Sequence, residues 1–124
     1  MATVADYITF ADKPFELQEI AGTQNFLLNL PANFNSEMPG ILTFMLHVNN
    51  GKKIHLVLSM GPANNIANAQ SIGSMELNGY HFTTVQELLG GAPLLNGNML
   101  YFTRTAGTGT LKISDVVVWF QVNT

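Results

Sequence analysis

One run near the C-terminus, Leu111-Lys112-Ile113-Ser114-Asp115-Val116-Val117-Val118-Trp119-Phe120-Gln121-Val122, constrains the fold more than any other stretch. Successive strand residues point to opposite faces of a sheet, so a strand covered on one side alternates apolar with polar. Here Val116, Val118, Phe120 and Val122 would point one way while Val117 and Trp119 point the other. Both faces therefore need cover. A second sheet of the same chain covers one, and a neighbouring copy of the chain is the expected cover for the other. The apolar parity also changes, from Leu111 and Ile113 to the even-numbered series, which predicts a β-bulge at Ser114 and Asp115 that re-aims the carboxylate.

Upstream, turn signals recur at short intervals between apolar runs, and no linker, repeat or charge block divides residues 1–124. A single all-β domain is expected. A hairpin loop at Asn49-Asn50-Gly51, with Gly51 left-handed, pairs Leu46 with Ile54, Phe44 with Leu56 and Leu42 with Leu58, leaving His47, Lys53 and His55 on the reverse face. A second hairpin at Asn78-Gly79 pairs Leu77 with Tyr80, Met75 with Phe82 and Glu76 with His81. A third at Gly107-Thr108-Gly109 joins 99–105 to the final strand. Earlier strands are predicted at 7–10, 15–19 and 25–30, the last stopped by Pro31. Thr84-Val85-Gln86-Glu87 fits a capping box and Gly90 a helix end, which predicts one short helical turn. About eight antiparallel strands and a long loop over 61–71 indicate a jelly-roll sandwich.

Only 10% of residues are charged while 47% are hydrophobic, against about a quarter charged in typical soluble domains. The surface must be polar but neutral, supplied by Asn, Thr, Ser and Gly. With Lys+Arg 5 against Asp+Glu 8 there is no basic stripe, so neither nucleic acid nor an anionic membrane is an expected partner. Cysteine is absent, which excludes a disulfide framework and a thiolate site. No apolar run is long enough to span a bilayer. The first residues, Met1 to Asp6, lack the basic-then-apolar pattern of a secretory leader; the expected location is the cytoplasm, or outside the cell by a route that needs no such leader.

The candidate chemistry is sparse. His47 and His55 share a face of the first predicted hairpin, but no third ligand of matching spacing accompanies them, so no metal or other cofactor is expected. There is no Gly-x-Ser-x-Gly elbow, the stretch from Ala106 to Lys112 lacks the Gly-Lys-Ser/Thr ending of a phosphate loop, and the acids are scattered through turns. An enzyme is not expected. Arg104 and Asp115 stand out as charges within otherwise charge-poor strands. Two readings are open: an ion pair that registers the strands or a subunit interface, or a sugar site in which arginine donates to adjacent hydroxyls and aspartate accepts from others.

Several segments, in order, resemble one family. Leu28-Asn29-Leu30-Pro31, Met38-Pro39-Gly40-Ile41, Asn50-Gly51, Ser71-Ile72-Gly73-Ser74-Met75, Arg104 and Ile113-Ser114-Asp115 are similar to segments of the TNF-like fucose-binding lectin domain that forms the N-terminal half of the Burkholderia superlectin, and of its stand-alone relatives. The resemblance implies a bacterial, TNF-like jelly roll assembled as a homotrimer, binding fucosylated oligosaccharides or other cell-surface glycans at metal-independent sites between protomers. It implies sugar-binding roles for Arg104 and Asp115, hydroxyl contacts from Ser59 and Ser71, and Phe34 in the place of a site tyrosine. Ser74 replaces an arginine of the family segment, and a second tyrosine after Pro39-Gly40-Ile41 is here Leu42 or Thr43. Fewer directional hydrogen bonds to sugar follow from these changes. The alternative is a trimeric jelly-roll module that binds a protein, or serves assembly, without sugar.

Overall fold

The computed structural model describes residues 3–19, 22–63, 65–89 and 96–124. They form β1 (Thr3–Ala11), β2 (Phe15–Leu17), β3 (Gly22–Leu27), β4 (Gly40–Pro62), β5 (Gln70–Leu89) and β6 (Asn98–Asn123), with a short 3-10 turn at Ile66–Asn68. All pair antiparallel in one six-stranded sheet of order β1-β6-β4-β5, and β2 and β3 join β6 on the side that β1 occupies.

β4, β5 and β6 run for 23, 20 and 26 residues, too long to lie straight in a small domain. Each bends midway. The left-handed residues Asn50 and Lys53 on β4, Gly79 on β5 and Gly107 and Gly109 on β6 fall in a line across the ladder, where Gly51 opposes Gly79 and Lys52 opposes Thr108. Along this line the sheet folds onto itself. The first leaf holds β1 with 40–49, 80–89 and 110–123, and the second holds β3 with 52–62, 70–78 and 98–106. Phe44 of the first leaf meets Phe102 of the second with ring centroids 5.3 Å apart. Gly73 lies so close to Glu87 that an added Cβ would come within 2.9 Å of its carboxylate, whereas a straight strand would hold the two residues more than ~40 Å apart.

The inner faces of the leaves carry the predicted core. Leu42, Phe44, Leu46 and Val48 on one side, Ile54, Leu56, Leu58 and Met60 on the other, and Leu100, Phe102, Leu111, Ile113, Val116, Val118, Phe120 and Val122 from β6 are all buried. Counted leaf by leaf, the sheet has the roughly eight strands of an antiparallel jelly-roll sandwich. The bulge is where the parity change places it: Asp115 has φ 53, and the ladder slips opposite Thr43/Met45 and Thr9/Ala11.

The three predicted hairpins do not form. Asn49-Asn50-Gly51, Asn78-Gly79 and Gly107-Thr108-Gly109 supply left-handed residues to bends, and each strand continues through them. In the first, Asn50 rather than Gly51 is left-handed. Leu46 consequently pairs with Thr83 and Ile113 instead of Ile54, Glu76 opposes His55, and His81 opposes Val48. A left-handed residue serves a bulge as well as a turn, so the local signal is real but its outcome is decided by remote pairing. The helical turn is also absent, because Thr84 to Glu87 pair with Thr43 and its neighbours inside β5; Gly90 lies outside the described residues. The third early strand ends at Leu27 rather than Leu30.

At Gly107, with φ +92, an added Cβ would overlap the Ile54 backbone, while Gly79, with φ +79, has open space around it. Gly107→Ala should therefore lose about 3 kcal/mol of stability and Gly79→Ala only about 1 kcal/mol. Urea denaturation giving equal costs would contradict a close crossing of β6 over β4.

Candidate functional site

The outer face of the first leaf is unusual for a solvated sheet. Across it run rows of side chains in ladder register. One row is Tyr7, Trp119, Ile41 and Leu88, all exposed. The Tyr7 and Trp119 rings lie 5.1 Å apart, and Trp119 Nε1–H donates to Thr43 Oγ1 at 3.3 Å. Toward the bend the rows turn polar and aromatic: Lys112, His47 and Phe82, then Thr110 and Asn49 beside Tyr80. Here a groove of ≈ 510 Å³ opens, lined by His47, Val48, Asn49, Tyr80, His81, Phe82, Thr110 and Lys112.

Tyr80 and Phe82 point the same way from β5 because they are two residues apart on a strand. They are 72% and 73% exposed, so their ring faces are open to a ligand. The His47 ring meets the Phe82 ring edge-on at 4.5 Å, which fixes one side of the groove. His47 Nε2 lies 3.2 Å from Ser114 Oγ, and that hydroxyl donates to Asp115 Oδ2 at 3.0 Å. With its proton so committed, the Ser114 oxygen accepts from His47 Nε2–H. His81 Nε2–H donates to the Asn78 carbonyl at 2.7 Å, which locks its ring over the bend.

The six residues singled out from the sequence do not converge within one subunit. Arg104 is 2% exposed and lies inside the fold at the bend. Its Nη1 donates to the Leu17 carbonyl at 3.1 Å and the Gly109 carbonyl at 2.9 Å, and its Nη2 to the Gly107 carbonyl at 3.2 Å. These carbonyls, not Asp115, hold the guanidinium. Its buried Nε has no hydrogen-bond partner. Phe34 is half-buried and packs against Phe120 at 6.0 Å, closing the end of the core. Ser59 opposes Ser71 on the second leaf, and Ser74 opposes Val57 there. Asp115 is exposed on the bulge.

His47 and His55 lie on different leaves and do not share a site; His55 Nδ1 pairs with Thr105 Oγ1 at 2.8 Å. Among the described residues no three metal-ligating side chains group together. The residues that the sequence reading missed are Tyr80 and Phe82. Their signal was the alternation Tyr80, Phe82 with polar Thr84 and Gln86 on one face of a strand, hidden by assigning Phe82 to a hairpin partner of Met75.

No family model matches the chain, and no curated protein does. Solved structures do resemble it. Dimeric latent PorU from Porphyromonas gingivalis matches 99% of this chain with TM-score 0.70 at 13% identity, and the chain spans 13% of that protein's length. CBM29_1, a family 29 carbohydrate-binding module from Piromyces equi, matches 96% of this chain and 91% of its own with TM-score 0.60 at 8% identity. A CBM4 structure matches 92% of this chain and 69% of its own with TM-score 0.53 at 15% identity. At such identities these are shared folds.

Removing the Arg104 guanidinium leaves the Leu17, Gly107 and Gly109 carbonyls short of a donor. Arg104→Met should cost about 3 kcal/mol in urea unfolding, and Asp115→Ala under about 1 kcal/mol. An Arg104→Met protein as stable as wild type would remove the internal strap from the account of the bend.

Proposed function

We propose that this chain is a carbohydrate-binding domain without enzymatic activity, and that a glycan occupies the groove beside Tyr80 and Phe82. The observation that carries the reading is a pair of open aromatic rings flanked by hydrogen-bonding side chains. A sugar presents an apolar ring face and a hydroxyl rim, and such a pairing offers a stacking surface for the first and Asn49, Thr110, His47 and Lys112 for the second. Carbohydrate-binding modules among the structures of similar fold support it. The non-enzymatic part of the reading is supported by Ser114, which is 3% exposed and donates to Asp115 rather than to His47.

The narrower form of the proposal is a TNF-like lectin that binds fucosylated glycans between protomers of a homotrimer. It draws on the ordered resemblance and on the exposure of Asp115 beside the groove's His47–Ser114 pair. In that form Arg104 supports the site from beneath by fixing the Gly107–Gly109 segment, Ser71 and Ser74 offer exposed hydroxyls on the second leaf with the buried Ser59 opposite Ser71, and Phe34 steadies the end of β6. Weak single sites would gain strength by simultaneous engagement.

A second reading has its own observation: the row Tyr7, Trp119, Ile41 and Leu88. Four large apolar groups in register on an open sheet face suit a protein partner or another copy of the chain.

Glycan-array screening followed by calorimetry tests the main reading. Tyr80→Ala and Phe82→Ala should each weaken binding about tenfold, roughly 1.4 kcal/mol, with melting temperatures close to wild type because both rings are exposed. An array without a single bound glycan would end the lectin reading. Light scattering separates the assembly claims: a threefold mass for wild type that falls to one chain in Trp119→Asp supports the trimer, and a wild-type monomer opposes it.

A further inference from the structure

Resting on the carbohydrate-binding reading, we infer that the groove takes an acidic saccharide, one whose carboxylate or sulfate group lies against Lys112 and His47. The chain has formal net charge −3, with Asp+Glu 8 against Lys+Arg 5. The groove departs from that balance: among the described residues its titratable lining is Lys112, His47 and His81, apart from the phenol of Tyr80, with no carboxylate.

The geometry explains how the acids are kept out. Glu16 faces Lys112 across the β2–β6 ladder, but its Oε2 accepts from Gln18 Nε2 at 3.0 Å, and it lines the neighbouring pocket with Glu19. Glu19 accepts from the Gly109 N–H at 3.3 Å. Asp115 is separated from His47 by the Ser114 hydroxyl. Lys112, His47 and Phe82 occupy one row over adjacent strands, spaced by about 4.8 Å per strand, so an ammonium and an imidazole stand next to a stacking ring. A sugar ring over Phe82 or Tyr80 would carry an anionic substituent to that pair, where charge-assisted hydrogen bonds exceed neutral ones.

The test compares oligogalacturonate with its methyl ester, in which a methyl group removes the charge of each carboxyl, and a sulfated galactan oligosaccharide with its desulfated form. Calorimetry should show the free acid or the sulfate ester bound about tenfold tighter than its neutral counterpart, with the preference falling toward unity at about 1 M salt. Lys112→Gln should reduce that ratio several-fold, whereas Lys13→Gln, exposed between β1 and β2, should leave it unchanged. The pair that shows the preference identifies which anion is recognised. Equal binding of charged and neutral forms, or a ratio untouched by Lys112→Gln, overturns the acidic specificity while leaving the carbohydrate-binding reading intact. Absence of binding to every charged and neutral saccharide overturns both.

Discussion

The backbone crossing at the bend sets the architecture of everything else in this molecule. Gly107 and Gly109 lie so close to the β4 backbone at Asn50 and Ile54 that no side chain fits between them, and Arg104 reaches back from the inner face to tie the Leu17, Gly107 and Gly109 carbonyls together. Burying a guanidinium is costly unless its donors are used. Here three bonds run from its two terminal nitrogens to backbone carbonyls, and only Nε is without a partner. The same arginine thus satisfies the bend from inside and joins β2 to β6, which brings the N-terminal strands across both leaves.

Folding along that line determines which residues form a surface. Each long strand contributes to both leaves, so Phe44 and Phe102 meet through the core while Tyr80, Phe82 and Lys112 gather outside it, just beyond the bend. The groove is a product of the fold line: where the sheet turns away, the last rows of the first leaf are left with open ring faces. The chain's shortage of charge acts in the same direction. With few ions on the surface, aromatic and amide groups supply most of the contacts that a ligand would meet on this face.

Much of this was legible in the chain and some was not. The alternation of Leu42, Phe44, Leu46 and Val48, and of Ile54, Leu56, Leu58 and Met60, gave the core because a strand's period does not depend on what it pairs with. The change of parity at Ser114 and Asp115 likewise gave the bulge. Asn50, Gly79 and Gly107 were read as reversals because a left-handed residue is the shared requirement of a tight turn and a strand kink. What separates the two is the pairing of β4 with β5 and β6 along their whole lengths, which is a property of distant residues. For Arg104 the chain left an ion pair and a sugar contact open, because only the bend supplies the buried carbonyls that hold its guanidinium in the interior.

The two exposed regions of the first leaf divide the work that its composition permits. At one end the row of Tyr7, Trp119, Ile41 and Leu88 is nearly without hydrogen-bonding capacity apart from the tyrosine hydroxyl and the indole N–H, the latter used on Thr43. Such a row gains chiefly by excluding water over area, the requirement of a protein or subunit contact. At the other end aromatic rings alternate with an amide, a hydroxyl, an imidazole and an ammonium, which suits a ligand that is apolar on one side and polar at its rim. Both lie on β4, β5 and β6, the first reaching β1 through Tyr7, and they are separated by the rows of Thr43 with Gln86 and Met45 with Thr84. A subunit contact over the first region would therefore leave the groove open and hold several grooves in a fixed relation, the arrangement in which weak individual sites add most to one another.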